Sequence, residues 1–189
     1  CKSSILKHNK DIEIQPIILD ELIGSGHYYR DIDPLASTEF TYTRFLAPYL
    51  NNYEGYAVFC DSDFLWNCDI IELLHYIKKT EYAVMCVQHD YKVTEDTKMD
   101  GQKQTIYPRK NWSSMVLWNC GHPSNKVVTK DFVNNTEING AYLHRFSWLK
   151  DEEIGSIDHT WNYLVGVYND IDKPKLIHYT EGGPWFENY

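Results

Sequence analysis

The sequence predicts an α/β fold built on one open sheet, and two observations carry that expectation. Short apolar runs of strand character, at residues 56–60, 82–87, 114–118 and 175–179, alternate with segments of helical periodicity. Directly after the first run stands Asp61-Ser62-Asp63. In open α/β sheets the carboxyl ends of the strands are where ligands bind. The 189 residues fit one domain with a single sizeable core, and no repeat, low-complexity tract or linker divides them.

The elements follow in chain order. Residues 1–7 read as the end of an amphipathic helix, and a further strand is expected upstream of it, because a doubly wound sheet opens with a strand. Residues 12–19 are strand-like, and 21–35, rich in Gly, Asp, Tyr and Pro, read as a loop. Ser37 can cap a helix carrying Phe40, Phe45, Leu46 and Tyr49, which Pro48 would end or kink. After the strand at 56–60, a helix over 69–79 presents Ile70, Leu73, Leu74 and Ile77 as a core stripe. The strand at 82–87 precedes a polar stretch, 89–110, which is long for a simple connection and reads as a functional loop. The strand at 114–118 follows, 125–133 is compatible with a helix, and 139–149 is ambiguous. A helix over 158–166 and a last strand at 175–179 complete the pattern.

Composition narrows the partners. The net charge of −9 disfavours nucleic acid and anionic membranes, and an anionic substrate would need local cations or a bound metal. Aromatic residues are abundant, with 15 Tyr and 6 Trp, which suits sugar stacking but also plain cores. The five cysteines form an odd set with no Cys-x-x-Cys pair, and Cys60 and Cys86 fall in strands. A disulfide scaffold or zinc ribbon is therefore disfavoured, and a reducing, cytoplasmic setting is expected. No apolar stretch approaches the roughly 20 residues that span a bilayer.

Four segments carry candidate chemistry. On an extended chain, Asp61 and Asp63 would point the same way and reach one hard cation, the plain alternative being a solvated acidic turn. His178 leaves a strand into a Gly182-Gly183-Pro184-Trp185 turn and can offer a neutral nitrogen to a borderline cation such as Mn²⁺, or serve as a hydrogen-bonded structural residue. The two glycines let backbone N–H groups approach a phosphate. Arg44 sits amid apolar neighbours, either reaching the surface, pairing with a core carboxylate or facing a ligand. Asp158 and His159 open the segment 158–166, where Asp158 is either an N-cap or a ligand-binding carboxylate.

Taken in order, Thr41-Tyr42-Thr43-Arg44, Asp61-Ser62-Asp63, an apolar strand reaching Asn119, Asp158-His159-Thr160-Trp161-Asn162, and His178 followed by Gly182-Gly183-Pro184-Trp185 resemble the retaining glycosyltransferases of family 8. The likeness is greatest to small enzymes of bacteria and large algal viruses that build surface or capsid glycans, and it covers most of the chain from Ser37 onward. It implies the GT-A fold, with a Rossmann-like, mixed but mostly parallel central sheet flanked by helices. It implies Mn²⁺ or Mg²⁺ on Asp61, Asp63 and His178, with Ser62, Asn119, Gly182, Gly183 and Trp185 toward a UDP-sugar donor. Arg44 would face the donor sugar or a phosphate, and Asp158 would bind sugar hydroxyls with His159 beside it.

The implied activity is transfer of a hexose or deoxyhexose, such as glucose or rhamnose, to a glycan or glycoprotein acceptor with retention. The implied location is the cytoplasm, that of the host for a viral enzyme. The terminal loop departs from the family pattern: Glu181 stands where Gly is expected, one residue fewer follows, and no Lys precedes Pro184. A sugar-1-phosphate nucleotidyltransferase and a non-catalytic carbohydrate-binding module remain the competing readings.

Overall fold

The computed structural model describes residues 1–31, 33, 40–79, 81–90, 109–168, 173–184 and 186. The α/β class holds. Among the described residues the strands are β1 (Tyr56–Cys60), β2 (Phe64–Trp66), β3 (Val84–Val87), β4 (Met115–Asn119), β5 (Ile154–Ile157), β6 (Tyr163–Leu164) and β7 (Leu176–His178). They form a four-stranded sheet in the order β1-β4-β3-β5 and a three-stranded sheet in the order β2-β7-β6. Both sheets are mixed, as expected. The β1–β4, β3–β4 and β2–β7 ladders are antiparallel, so the expected parallel majority is not what these strands form; β3–β5 and β6–β7 are parallel.

Strand periodicity builds two cores from one sheet. Val84, Cys86, Val116 and Trp118 face one way, onto Phe45, Leu46, Leu143 and Phe146. Met85, Val87, Met115 and Leu117 face the other, onto Phe64, Trp66, Leu73, Trp161 and Leu176. Side chains two apart share a face, so β3, buried at every position, is covered on both sides, as continuous apolar strands are. Each fully buried side chain of this size contributes about 1.5–3 kcal/mol. Gly155 in β5 is required by the same packing, because a Cβ there would lie 2.6 Å from the Tyr82 ring.

Several local expectations are corrected. Residues 12–18 form no ladder: Ile12 and Ile14 pack on one core and Ile17 on the other, and Pro16 offers no N–H to a partner strand. Helix α2 (Leu19–Gly24), after α1 (Lys2–His8), occupies part of the expected loop. The expected Ser37 cap, and residues 91–108 of the long loop, lie outside the described residues. Arg44 lies on a 3₁₀ turn, Thr43–Leu46, that runs into α3 (Ala47–Leu50). Pro48 falls in the first turn of α3, where a missing N–H costs nothing, and so does not end the helix.

Residues Ile70–Lys78 form a 3₁₀ helix capped by the Asp69 side chain on the Ile71 N–H. Its three-residue repeat aligns Ile70, Leu73 and Tyr76 on the core face and leaves Leu74 52% exposed, which displaces the stripe predicted for an α-helix. The ambiguous stretch contains α5 (Gly140–His144), which follows α4 (Lys130–Asn134). The helix expected over 158–166 is instead a 3₁₀ turn, His159–Asn162, leading directly into β6. Pairing with β7 overrides local helical preference there.

Candidate metal centre

The junction between the two sheets makes the site. β1 ends at Cys60, the chain turns at Ser62 and Asp63, and β2 starts at Phe64 in the other sheet. The β2–β7 register sets Phe64 opposite His178, and the Tyr179 N–H donates to the Asp63 carbonyl at 3.2 Å. Asp61, Asp63 and His178 therefore converge, with one ligand atom from each within 4.8 Å of the others. Strand pairing and a turn bring them together, rather than the extended chain that the i, i+2 spacing suggested.

The imidazole is oriented for coordination. Asn162, fully buried, donates through Nδ2 to Ser114 Oγ at 2.9 Å, which turns its Oδ1 toward His178 Nδ1 at 3.0 Å. An amide oxygen only accepts, so Nδ1 carries a proton and Nε2 is the nitrogen turned toward the carboxylates. Phe64 stacks on the ring at 4.1 Å and fixes its plane. Nε2 faces Asp63 Oδ1 at 3.4 Å. Two acceptors at that separation need a positive charge between them, either a second proton on the ring or a metal ion. Two carboxylates and an imidazole with a hydrogen-bonded outer shell suit Mn²⁺, or Mg²⁺ less closely.

Arg44 completes the electrostatics. Its Nη1 lies 3.0 Å from Asp61 Oδ1 and 3.2 Å from the Ser113 carbonyl, and its Nε donates to the Phe40 carbonyl. The guanidinium stands 5.2 Å over the Phe59 ring. Of the three roles the sequence left open for Arg44, pairing with a carboxylate is observed, that of half-buried Asp61, and Arg44 also lines the cleft. Burial pushes the Asp61 carboxyl above its usual range, as does the Asp63 charge, while Arg44 opposes both.

The site opens into a cleft of about 1420 Å³. Ser62, Thr180, Lys110, Asn111, His144 and Arg145 line it with the three converging residues, and Ile12, Ile14, Ile70 and Leu73 supply an apolar wall. His144 Nδ1 meets Ser113 Oγ at 2.5 Å, so the Ser113 residue links α5 to Arg44. Ser113, Ser114, His144, Lys110 and Arg145 carry no local sequence signal of this role; Ser113 and His144, for instance, are 31 positions apart.

The other predicted residues are placed as follows. Gly182 has φ +127° and donates to the Tyr179 carbonyl at 3.1 Å, a conformation that favours glycine, and Gly183 is buried beside it. Trp185 lies outside the described residues. Asn119 is not brought to the site: it pairs with Tyr56 at the opposite end of β1 from Asp61, and its amide bonds the Tyr82 carbonyl. Asp158 and His159 follow β5, at the same sheet edge as Asp61 but three strands away, on the order of 14 Å. Asp158 is exposed and caps the 3₁₀ turn through the Thr160 N–H and hydroxyl, and that hydroxyl holds its carboxyl below the usual range. His159 meets the Tyr168 ring edge-on at 5.9 Å.

Two histidines, His89 buried and His144 half-buried, give the molecule an acid sensitivity. Burial lowers His89 to about 3, helped by the charges of His178 and His159, and lowers His144 to about 3, helped by Arg44. Both rings are neutral in the folded state, whereas the unfolded chain protonates them near 6.5. Stability is therefore full above about pH 6.5 and falls as pH drops toward 3, by roughly 1 kcal/mol per pH unit for each ring. Urea unfolding at pH 7 and pH 5 measures this slope, and His144→Gln is expected to make it shallower.

No protein family model matches the chain. It is 53% identical over 193 residues to "Protein CDI" of Arabidopsis thaliana, an alignment covering 99% of this chain and 73% of that protein. That relative comes from a plant, so the algal-virus part of the sequence expectation finds no support. Among solved structures the chain is similar to the apo bifunctional glycosyltransferase WbbM, with TM-score 0.45 and 19% identity over 80% of this chain and 33% of that one. It is also similar to apo mouse xyloside xylosyltransferase 1, with TM-score 0.45 and 12% identity over 85% and 71% of the two chains. No helix among the described residues is long and apolar enough to cross a membrane.

Proposed function

The chain belongs to the family of Arabidopsis thaliana Protein CDI, and from that premise we propose that it is a metal-dependent glycosyltransferase of the GT-A type acting in the cytoplasm. Its donor is a UDP-sugar carrying a hexose or deoxyhexose, and its acceptor is a glycan or glycoprotein. The observation that carries the reading is the convergence of Asp61, Asp63 and an oriented His178 at a cleft. The ordered resemblance to family 8 supports it. A carbohydrate-binding module has no need of two carboxylates and an imidazole gathered at strand ends.

The roles follow from the chemistry of the bond to be broken. A divalent cation on Asp61, Asp63 and His178 would supply Lewis-acid stabilisation of the diphosphate as negative charge develops on it. Arg44 fixes the Asp61 carboxylate, and Asn162 fixes the tautomer of His178. The Gly182-Gly183 turn offers backbone close to the phosphates, and Ser62 a hydroxyl. Asp158, with His159, serves the sugar end of the donor. Transfer is front-face and retaining, as the resemblance to family 8 implies, with the departing phosphate oxygen accepting the acceptor's proton.

Incubating the protein with a panel of UDP-sugars and Mn²⁺ is expected to release UDP slowly by hydrolysis, and EDTA is expected to stop it. Calorimetry that finds no Mn²⁺-dependent UDP binding would reject the enzyme reading in favour of a carbohydrate-binding module. Pyrophosphate release from a nucleoside triphosphate and a sugar 1-phosphate would favour a nucleotidyltransferase.

A further inference from the structure

Arg145 brings a positive charge with no ion pair among the described residues to the lining of this cleft. It follows α5 as the C-cap residue, and its backbone is held at both ends: its N–H donates to the Ala141 carbonyl at 3.3 Å, and its carbonyl accepts from Arg109 Nη1 at 2.6 Å. Arg109 is itself paired with Asp151. Arg145 is one of the residues that line the cleft. Its Nε is buried with no hydrogen-bond partner, and the guanidinium makes no ion pair, among the described residues. A buried donor left unmade is costly, and it leaves the Arg145 guanidinium without an internal acceptor at that nitrogen.

The charge balance indicates what that acceptor is. With a divalent cation on Asp61 and Asp63 the charges cancel, and Arg44 leaves a single positive charge at the centre. A nucleoside diphosphate-sugar carries about two negative charges on its diphosphate. Further positive charge brings the site toward balance; Lys110 and Arg145 both line the cleft, and of the two it is the guanidinium fork that matches the geometry of phosphoryl oxygens. We propose that Arg145 is a donor-binding residue whose guanidinium engages the diphosphate of the nucleotide-sugar. The inference rests on the proposed function and adds a donor-binding residue just after α5 that no sequence motif marks.

The test is calorimetry of the wild-type protein, Arg145→Ala and Arg145→Lys, with Mn²⁺-pyrophosphate and with Mn²⁺-UDP as probes. Mn²⁺ affinity without nucleotide is measured by electron paramagnetic resonance. Arg145→Ala is expected to weaken both phosphate probes about ten- to a hundredfold while binding Mn²⁺ alone as the wild type does. Arg145→Lys is expected to fall between, because it keeps the charge without the fork. Wild-type affinity of Arg145→Ala for pyrophosphate would overturn the inference, as would an Arg145→Lys protein that loses Mn²⁺ affinity in parallel, since the effect would then be structural. If the wild type binds Mn²⁺-pyrophosphate but not Mn²⁺-UDP, the nucleotide-sugar reading fails while the Arg145 contact is still decided by the pyrophosphate series. If it binds neither, both fall.

Discussion

Asp63→Ala is expected to lose Mn²⁺-dependent UDP binding and UDP-sugar turnover while remaining folded. The Asp63 side chain is 32% exposed, and it meets His178 Nε2 across 3.4 Å, so its truncation opens no core cavity. What it removes is the carboxylate that Arg44 does not hold. Asp61 then remains as the single acidic ligand, already engaged at 3.0 Å by a guanidinium, with His178 beside it. Outer-shell changes at metal sites cost about ten- to a hundredfold in affinity. Loss of a ligand itself should therefore exceed about a hundredfold. Calorimetric titration of Mn²⁺ and then UDP measures the loss, and thermal unfolding shows that the fold persists. Near-wild-type Mn²⁺ affinity in Asp63→Ala would mean that Asp63 and His178 form only a protonated pair, and the metal centre would have to be abandoned.

The parts of this site that the sequence revealed are those with a local pattern. Asp61-Ser62-Asp63 stood out because two acids followed an apolar run, and His178 because it left one into glycines. The geometry that joins them was hidden. β2 spans three residues and β6 two, too few for periodicity to register, yet β2 sets His178 against Asp63. The stripe on the segment 70–78 was misplaced because a 3₁₀ helix repeats every three residues, and Tyr76 takes the buried place expected of Leu74. Asn119 was drawn in by its motif, but an antiparallel β1–β4 ladder carries it to the far edge. Asn162 stands in a motif the sequence marks, but its contacts to His178 and Ser114 span 16 and 48 positions, and those of Ser113 to Arg44 and His144 span 69 and 31, which no single window contains.

Arg44→Ala is expected to lose about 3–5 kcal/mol of unfolding free energy in the absence of metal. The guanidinium is buried and makes bonds to Asp61, the Ser113 carbonyl and the Phe40 carbonyl, so no solvent replaces it when it is removed. Asp61 is left with its desolvation and the Asp63 charge both opposing ionisation, and without the cation that offset them. Arg44→Lys should recover only part of the loss, because one ammonium cannot reach three acceptors in a fixed fork. The same change, however, frees both Asp61 oxygens and removes a positive charge from the neighbourhood of the proposed metal ligands. Mn²⁺ should therefore stabilise Arg44→Ala more than it stabilises the wild type, with a gain near 2.7 kcal/mol at about a hundredfold its dissociation constant. Urea unfolding with and without Mn²⁺ reads both effects at once. A variant as stable as the wild type without metal would show that the Arg44–Asp61 pair is no structural tie. A variant that loses stability but gains nothing from Mn²⁺ would show that Asp61 does not face the cation, and that Arg44 serves the fold rather than preparing a metal ligand.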